Sequence, residues 1–245
     1  MIDVIMAGEI LRTITRAIVV LVSEARIHFL EKGLHSRAVD PANVAMVIVD
    51  VPKESFEAYK IDGEKTIGVD MNRIFDISKS IKPKDLVELM IADESTLKVK
   101  FGSVEYTVSL IDPSAIKKEP KIPELELPVK VVMDAGEFKK AISAAEKISD
   151  HVVFSSDKTG FKIEAKGDVD KLVFNLSGAE LIEFNGGEAK SMFSVEYLKE
   201  FCTIAGSGDL LTIRLGTNYP VRLLFDLAGG KAKVEYILAP RIEAE

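Results

Sequence analysis

The chain has a single cysteine, Cys202, so no intrachain disulfide can form. It lies among Leu198, Phe201 and Ile204, a setting in which a thiol acts as a small buried hydrophobe rather than a nucleophile. Tryptophan and glutamine are absent and asparagine is scarce, while Lys and Glu are abundant. That profile suits a hot environment, where amides are lost and ion-pair networks cost less to form. No apolar run approaches the roughly 18–20 residues of a transmembrane helix; residues 17–22 form too short a stretch, bounded by Arg16 and Glu24. A basic segment followed by a cleavable apolar core is also missing, so no leader and no membrane association are expected, and the chain reads as cytoplasmic.

Excess positive charge is missing too. The net charge is −7, which argues against a protein that coats itself in nucleic acid but leaves room for one basic surface. Enzymatic signatures are equally lacking. His28, His35 and His151 are scattered, with no Cys or carboxylate array at metal-ligand spacing. There is no Gly-x-Ser-x-Gly, P-loop or Gly-x-Gly-x-x-Gly; Gly186-Gly187 and Gly229-Gly230 read as turns. Asp168 and Asp170 read as solvated loop carboxylates. The expectation is a binding scaffold with no catalytic residue, no metal and no cofactor.

What is present is a duplication. Ala7-Gly8-Glu9-Ile10 opens an amphipathic run with Leu11, Ile14, Ala17, Ile18 and Leu21 at helical spacing. Ala135-Gly136-Glu137-Phe138 opens another, with Ala141, Ile142, Ala145 and Ile148. A short apolar strand precedes each helix, and a strand–turn–strand follows: 26–30 and 34–38 around Gly33, then 152–156 and 161–165 around Gly160. Both glycines fit hairpin positions that need positive φ. Residues 69–75 and 193–198 each pass from a strand end into a short helix, with Asp70 and Ser194 as N-caps. Asp85-Leu86-Val87 and Asp209-Leu210-Leu211 restart strands, and closing hairpins finish each half. Each half therefore reads as an α+β unit, βαβββ written twice, with two helices and eight or nine strands. The predicted boundaries are 1–111 and 129–245. Residues 112–128, with Pro113, Pro120, Pro123 and Pro128, form an extended surface connector, since proline cannot enter a sheet interior.

The long helices carry cations opposite their apolar stripes: Arg12 and Arg16 four apart, Lys140 and Lys147 seven apart with Lys139 adjacent. Lys79 and Lys199 belong to the short helices, and Arg73, Lys82 and Lys84 lie near the first of these. For any one helix this is ordinary solvent display; repetition in both halves of an acidic chain points to a phosphate-facing surface. No aromatics interleave with these cations, so base stacking on single strands is not supported. Glu54, Glu57, Glu180, Glu183, Glu188, Glu243 and Glu245 are expected to face away from it.

Several strings resemble the proliferating-cell-nuclear-antigen type of sliding clamp of archaea and eukaryotes. They are Ala38-Val39-Asp40 with Val44, Ile67-Gly68-Val69, Gly136-Glu137-Phe138, Tyr197-Leu198 and the near-terminal Tyr236-Ile237-Leu238-Ala239-Pro240-Arg241-Ile242-Glu243. The resemblance covers the whole chain and implies the DNA clamp (processivity) fold, with outer antiparallel sheets and inner helices. It implies a trimeric ring, a homotrimer of the archaeal kind, that encircles double-stranded DNA without sequence preference and is nucleoid-associated in a prokaryote. A clamp loader places such rings on DNA, and they tether DNA polymerase, flap endonuclease, ligase and repair enzymes through short peptide motifs. Carried over by position, the peptide site comprises Val39, Val44, Ile122, Pro220, Ile237, Ala239 and Pro240. Subunits would join through strands 103–111 and 171–178, with Val104, Tyr106 and Val108 against Leu172, Phe174 and Leu176. These sequences differ, so their pairing would be head to tail; the alternative is that both strands are capped within the monomer. A subunit of a heterotrimeric clamp is the second reading. An enzyme or small-molecule binding protein on the same layout is the third, and it predicts a deep pocket with convergent polar groups.

Overall fold

The computed structural model describes residues 1–91, 93 and 95–241. Ile242, Glu243 and Glu245 lie outside the described residues. The chain forms two compact units: Met1–Lys121 with Asp226–Val234, and Ile122–Phe225 with the stretch from Glu235 onward.

The first unit begins β1 (Ile2–Ala7), α1 (Gly8–Val19), β2 (Glu24–Leu30), β3 (Gly33–Val39) and β4 (Ala45–Pro52). It continues β5 (Ala58–Ile61), β6 (Lys65–Asp70), α2 (Met71–Ser78), β7 (Leu86–Ile91), β8 (Thr96–Phe101) and β9 (Val104–Ser109). Its strands are ordered β5-β1-β7-β8-β9 in one sheet and β4-β3-β2-β6 in another. The second half of the chain repeats the scheme: β10 (Val129–Asp134), α3 (Ala135–Ala145), β11 (His151–Ser156), β12 (Gly160–Lys166) and β13 (Lys171–Ser177). Then come β14 (Glu183–Asn185), β15 (Ala189–Ser194), α4 (Val195–Phe201), β16 (Leu210–Leu215), β17 (Val221–Leu227) and β18 (Ala232–Leu238). Its orders, β14-β10-β16-β17-β18 and β13-β12-β11-β15, match the first unit strand for strand. The duplication legible in the chain is thus a duplication of topology.

Alternating apolar residues place one face of each strand in a core, as in β1 and β11. The α1 stripe Ile10, Leu11, Ile14, Ala17 and Ile18 is buried. In the second unit Phe138 of α3 packs edge-on to Phe154, which also contacts Phe161 and Phe193. Tyr236 of the terminal string stacks on Phe201 at 4.0 Å and meets Phe225 edge-on, so it belongs to this core.

Three local expectations are corrected. Gly33 does have positive φ, 135°, but Gly160 does not. Gly160 is required because a Cβ there would lie 2.3 Å from the Leu176 carbonyl oxygen, and the turn before it is closed by Asp157, which accepts from the Thr159 and Gly160 N–H groups. Asp70 caps α2 by accepting from Arg73 N at 3.1 Å, but Ser194 makes no side-chain cap. Its side chain is buried, and the Val195 N–H is satisfied by the Asp150 carbonyl at 2.9 Å. Lys147 lies beyond the end of α3 rather than on it.

Candidate nucleic-acid and partner interfaces

Each unit presents its own helix pair. In the first, Thr15 Oγ1 on α1 bonds the Leu11 carbonyl at 2.8 Å and reaches Ser78 Oγ on α2 at 3.3 Å. Gly8 lets α1 start hard against the loop before β7; a Cβ would sit 2.3 Å from the Lys82 carbonyl oxygen. The N–H groups of Gly8 and Glu9, unpaired inside the helix, donate to Asp85 and Pro83 carbonyls at 2.7 and 2.9 Å. That docking brings Lys82 and Lys84 to the start of α1 beside Arg12, whose Nη1 donates to the Ile81 carbonyl at 3.2 Å. Farther along, Arg16 and Lys79 lie 5.4 and 4.6 Å from the centre of the Phe75 ring. Lys79 also pairs with Asp76 at 2.7 Å, and that pairing holds the Asp76 carboxyl below its usual range. Arg12, Arg73, Lys82 and Lys84 have no ion-pair partner among the described residues.

The second unit's cations are more engaged. Lys140 pairs with Glu137 at 2.5 Å and Lys199 with Glu146 at 2.6 Å, and both lysines are held above their usual range by those bonds. Lys139 donates to the Ala205 carbonyl at 3.4 Å, while Lys147 stands exposed past the helix end. The repeated lysines of the sequence therefore carry unequal fields. Among these predicted helix and loop cations, Arg12, Arg73, Lys82 and Lys84 of the first unit have no ion-pair partner among the described residues, whereas Lys140 and Lys199 of the second do.

Asp134 caps α3, accepting from Glu137 N at 3.1 Å, and also accepts from Gly208 N at 2.6 Å. Those bonds, the one from Gly208 foremost, hold its carboxyl below the usual carboxylate range. A lowered folded pKa means stability that is present above the unfolded value and lost as pH falls through the folded one. Asp134→Ala is expected to cost about 1 kcal/mol at neutral pH, read by urea unfolding, with the deficit shrinking below pH ~4 as the wild-type carboxylate protonates.

In the first unit, Val39 ends β3 and Val44 closes the following turn, both half-buried. Buried Asp40 builds that turn by accepting from the N–H groups of Val44 and Ala45 at 2.8 and 2.9 Å. In the second unit, Ile122 is 39% exposed whereas Ile237 is only 5% exposed; Pro220, Ala239 and Pro240 are half-buried. Of the expected subunit strands, β9 and β13 are each the edge of a sheet within their own unit. On β9, Val104 is exposed and Val108 buried, with Tyr106 stacked on Phe101 at 6.2 Å. On β13, Leu172, Phe174 and Leu176 form a half-buried row directly opposite Ala165, Ile163 and Phe161 of β12.

The sequence reading missed how the first part of the connector is held. Arg26 donates from Nε and Nη2 to the carbonyls of Pro113 and Ile116, both at 2.8 Å. His28 contacts Glu119, which also meets Arg37 at 3.4 Å, and Lys117 reaches the Asp40 carbonyl and Asn43 Oδ1. The alternation Arg26, His28 on β2 was the one available signal, since partners more than eighty residues away leave no local pattern.

No group of three or more metal-ligating side chains occurs among the described residues, and none of their helices is long and apolar enough to cross a membrane. Cys202 is buried, which pushes its thiol up to about 12, so it is inert at neutral pH.

These features define a duplicated two-unit scaffold with cationic helix surfaces and sheet edges left open in each unit. Residues 1–107 match the family model of the proliferating cell nuclear antigen N-terminal domain, and 121–241 that of its C-terminal domain. The DNA polymerase sliding clamp of Archaeoglobus fulgidus is 81% identical over 245 residues, covering all of both chains. That of Methanothrix thermoacetophila is 43% identical over 247 residues, again with full coverage of both. A solved structure described as the C-terminal region of FEN-1 bound to A. fulgidus PCNA matches with a TM-score of 0.99 at 81% identity, covering all of both chains. The chain belongs to the proliferating cell nuclear antigen family, the DNA polymerase sliding clamps.

Proposed function

We propose that three copies of this chain close head to tail into a ring around duplex DNA and tether polymerase, flap endonuclease and ligase to it. The observation that carries this reading is the cationic surface formed by Arg12, Arg73, Lys82 and Lys84, beside Arg16 and the Asp76-paired Lys79, on an acidic chain. Cations without base-reading geometry contact phosphates alone, which permits sliding. Lys139, Lys140, Lys147 and Lys199 add a weaker contribution from the second unit. A ring also explains the two open edges, since an unpaired strand invites another strand. In this reading β9 of one protomer pairs with β13 of the next, and Val104 and Tyr106 help cover the row Leu172, Phe174 and Leu176. The residue boundaries 1–111, 112–128 and 129–245 serve as the working division of the chain. The role is that of a scaffold, not an enzyme, acting in the cytoplasm on the nucleoid, with an ATP-driven loader supplying the work of opening. Light scattering tests the assembly: a mass of three times 26.9 kDa is expected of the protein alone, and a stable monomer would overturn the homotrimer.

Partner peptides are assigned to Ile122, Pro220, Ile237, Ala239 and Pro240 in the second unit and to Val39 and Val44 in the first. The FEN-1 segment on the A. fulgidus protein makes a flap-endonuclease C-terminal peptide the first partner to measure. Ile122 is the cleaner probe, because a charge at buried Ile237 would disturb folding as well. Ile122→Glu is expected to weaken that peptide by roughly thirtyfold, the scale of a missing apolar anchor, by calorimetry, with unfolding unchanged.

A further inference from the structure

A further group of cations in the second unit lies away from its helices. It lies on the solvent face of the four-stranded sheet β13-β12-β11-β15, the face opposite Phe154, Phe161 and Phe193. The cross-strand register sets out three rows on it. One holds Lys190, Ser155, Lys162 and Asn175. The next holds Met192, Val153, Glu164 and Val173. The third holds His151, with Lys166 directly opposite Lys171. Arg241 joins the border, since its N–H donates to the Met192 carbonyl at 2.7 Å. Together these form a shallow cleft of about 630 Å³ bordered by Lys166, Lys171, Lys190 and Arg241.

Among the described residues, Glu164 is the single carboxylate lining that cleft. Lys171 contacts it at 2.9 Å and Lys162 at 3.9 Å. Those lysines, the Lys171 hydrogen bond foremost, hold its carboxyl below the usual range. One carboxylate among several cations leaves the face positive within a chain of net charge −7. The central row adds a second property. Val173 is 49% exposed, and Val153 and Met192 are half-buried, so an apolar strip, interrupted by Glu164 between Val153 and Val173, runs between two cationic borders.

We propose that this face docks an acidic protein segment whose carboxylates meet the lysine borders while its apolar side chains lie on Met192, Val153 and Val173. Charge complementarity selects an anionic partner, and the strip selects a peptide over nucleic acid. A single strand held without base readout needs aromatic side chains for stacking, and the cleft is lined by no Phe or Tyr, His151 being its one ring. A duplex would lay its phosphates on the borders and bury the apolar strip against charge, at a desolvation cost with no return. Lys171 and Val173 lie on β13, the strand assigned above to subunit contact, so this face borders that edge; Lys166, Lys190, Met192 and Arg241 belong to none of the surfaces assigned to DNA, partner motifs or subunit contact. Sedimentation of each variant, run beside the binding test, separates a failure of docking from a failure of ring closure.

The test is fluorescence anisotropy with a labelled glutamate-rich peptide carrying interspersed leucines, measured on the full chain. Two further probes are the same peptide with serine for leucine and a labelled oligothymidylate. The leucine peptide is expected to bind, more tightly than either other probe. The double variant Lys166→Glu, Lys190→Glu should weaken it by about tenfold or more. Glu164→Gln, which releases Lys171, should tighten it severalfold. A gain from one variant and a loss from the other is not produced by misfolding. Equal binding by wild type and both variants would overturn the proposal. So would an oligothymidylate that binds as tightly as the leucine peptide and displaces it, because nucleic acid would then be the occupant.

Discussion

Replacing Arg12, Arg16, Lys82 and Lys84 with alanine is expected to weaken binding to a short linear duplex by roughly ten- to a hundredfold near 0.1 M salt. The slope of log K against log salt should become shallower by about one for each phosphate that is no longer neutralised. The reason is local. The loop before β7 docks on the start of α1 and delivers Lys82 and Lys84 beside Arg12, and no carboxylate among the described residues pairs with any of these three. Arg12, Lys82 and Lys84 are exposed, so alanine there removes charge with little effect on the core. The matched change in the second unit, Lys139, Lys140 and Lys199 to alanine, should cost much less. Lys140 and Lys199 are already neutralised by Glu137 and Glu146. Salt titrations of anisotropy compare the two, and an equal loss from both would refute the asymmetry.

Truncating both edges, with Tyr106→Ala and Phe174→Ala combined, is expected to raise the subunit dissociation constant by about a hundredfold, as removal of two apolar anchors does at other interfaces. The protomer should stay folded, because neither side chain is fully buried in its own unit. Val108 makes a poor probe, since at 6% exposure it serves its own core. Sedimentation over a dilution series reads the change. A variant that keeps the wild-type mass at every dilution would show that these edges do not join subunits.

The fold was legible where the chain repeats a physical requirement. Gly8 and Gly136 recur because each long helix starts against a neighbouring loop with no room for a Cβ, 2.3 Å from the Lys82 carbonyl oxygen and 3.0 Å from Ser207 Cα. The prolines of the connector were readable for what they forbid. The anchoring of its first part was not, because Arg26, His28 and Arg37 meet partners that only the folded sheet brings near. Ser194 misled because its residue type suits a cap while its position at a buried strand end does not allow one. The basic sheet face escaped notice for a related reason: Lys162, Lys166, Lys171 and Lys190 lie on three strands, and only register aligns them. Charge on a helix shows in the spacing of one segment. Charge on a sheet shows only after pairing.

Encirclement is tested most directly by loading the protein onto a singly nicked circular duplex with an ATP-driven loader, removing free protein, and cutting the circle once. Retention through gel filtration on the intact circle, followed by loss after the cut as rings slide off the ends, is the expected result. Protein that stays bound to the linear product as firmly as to the circle would contradict a topological link and would mean that direct contacts hold it in place.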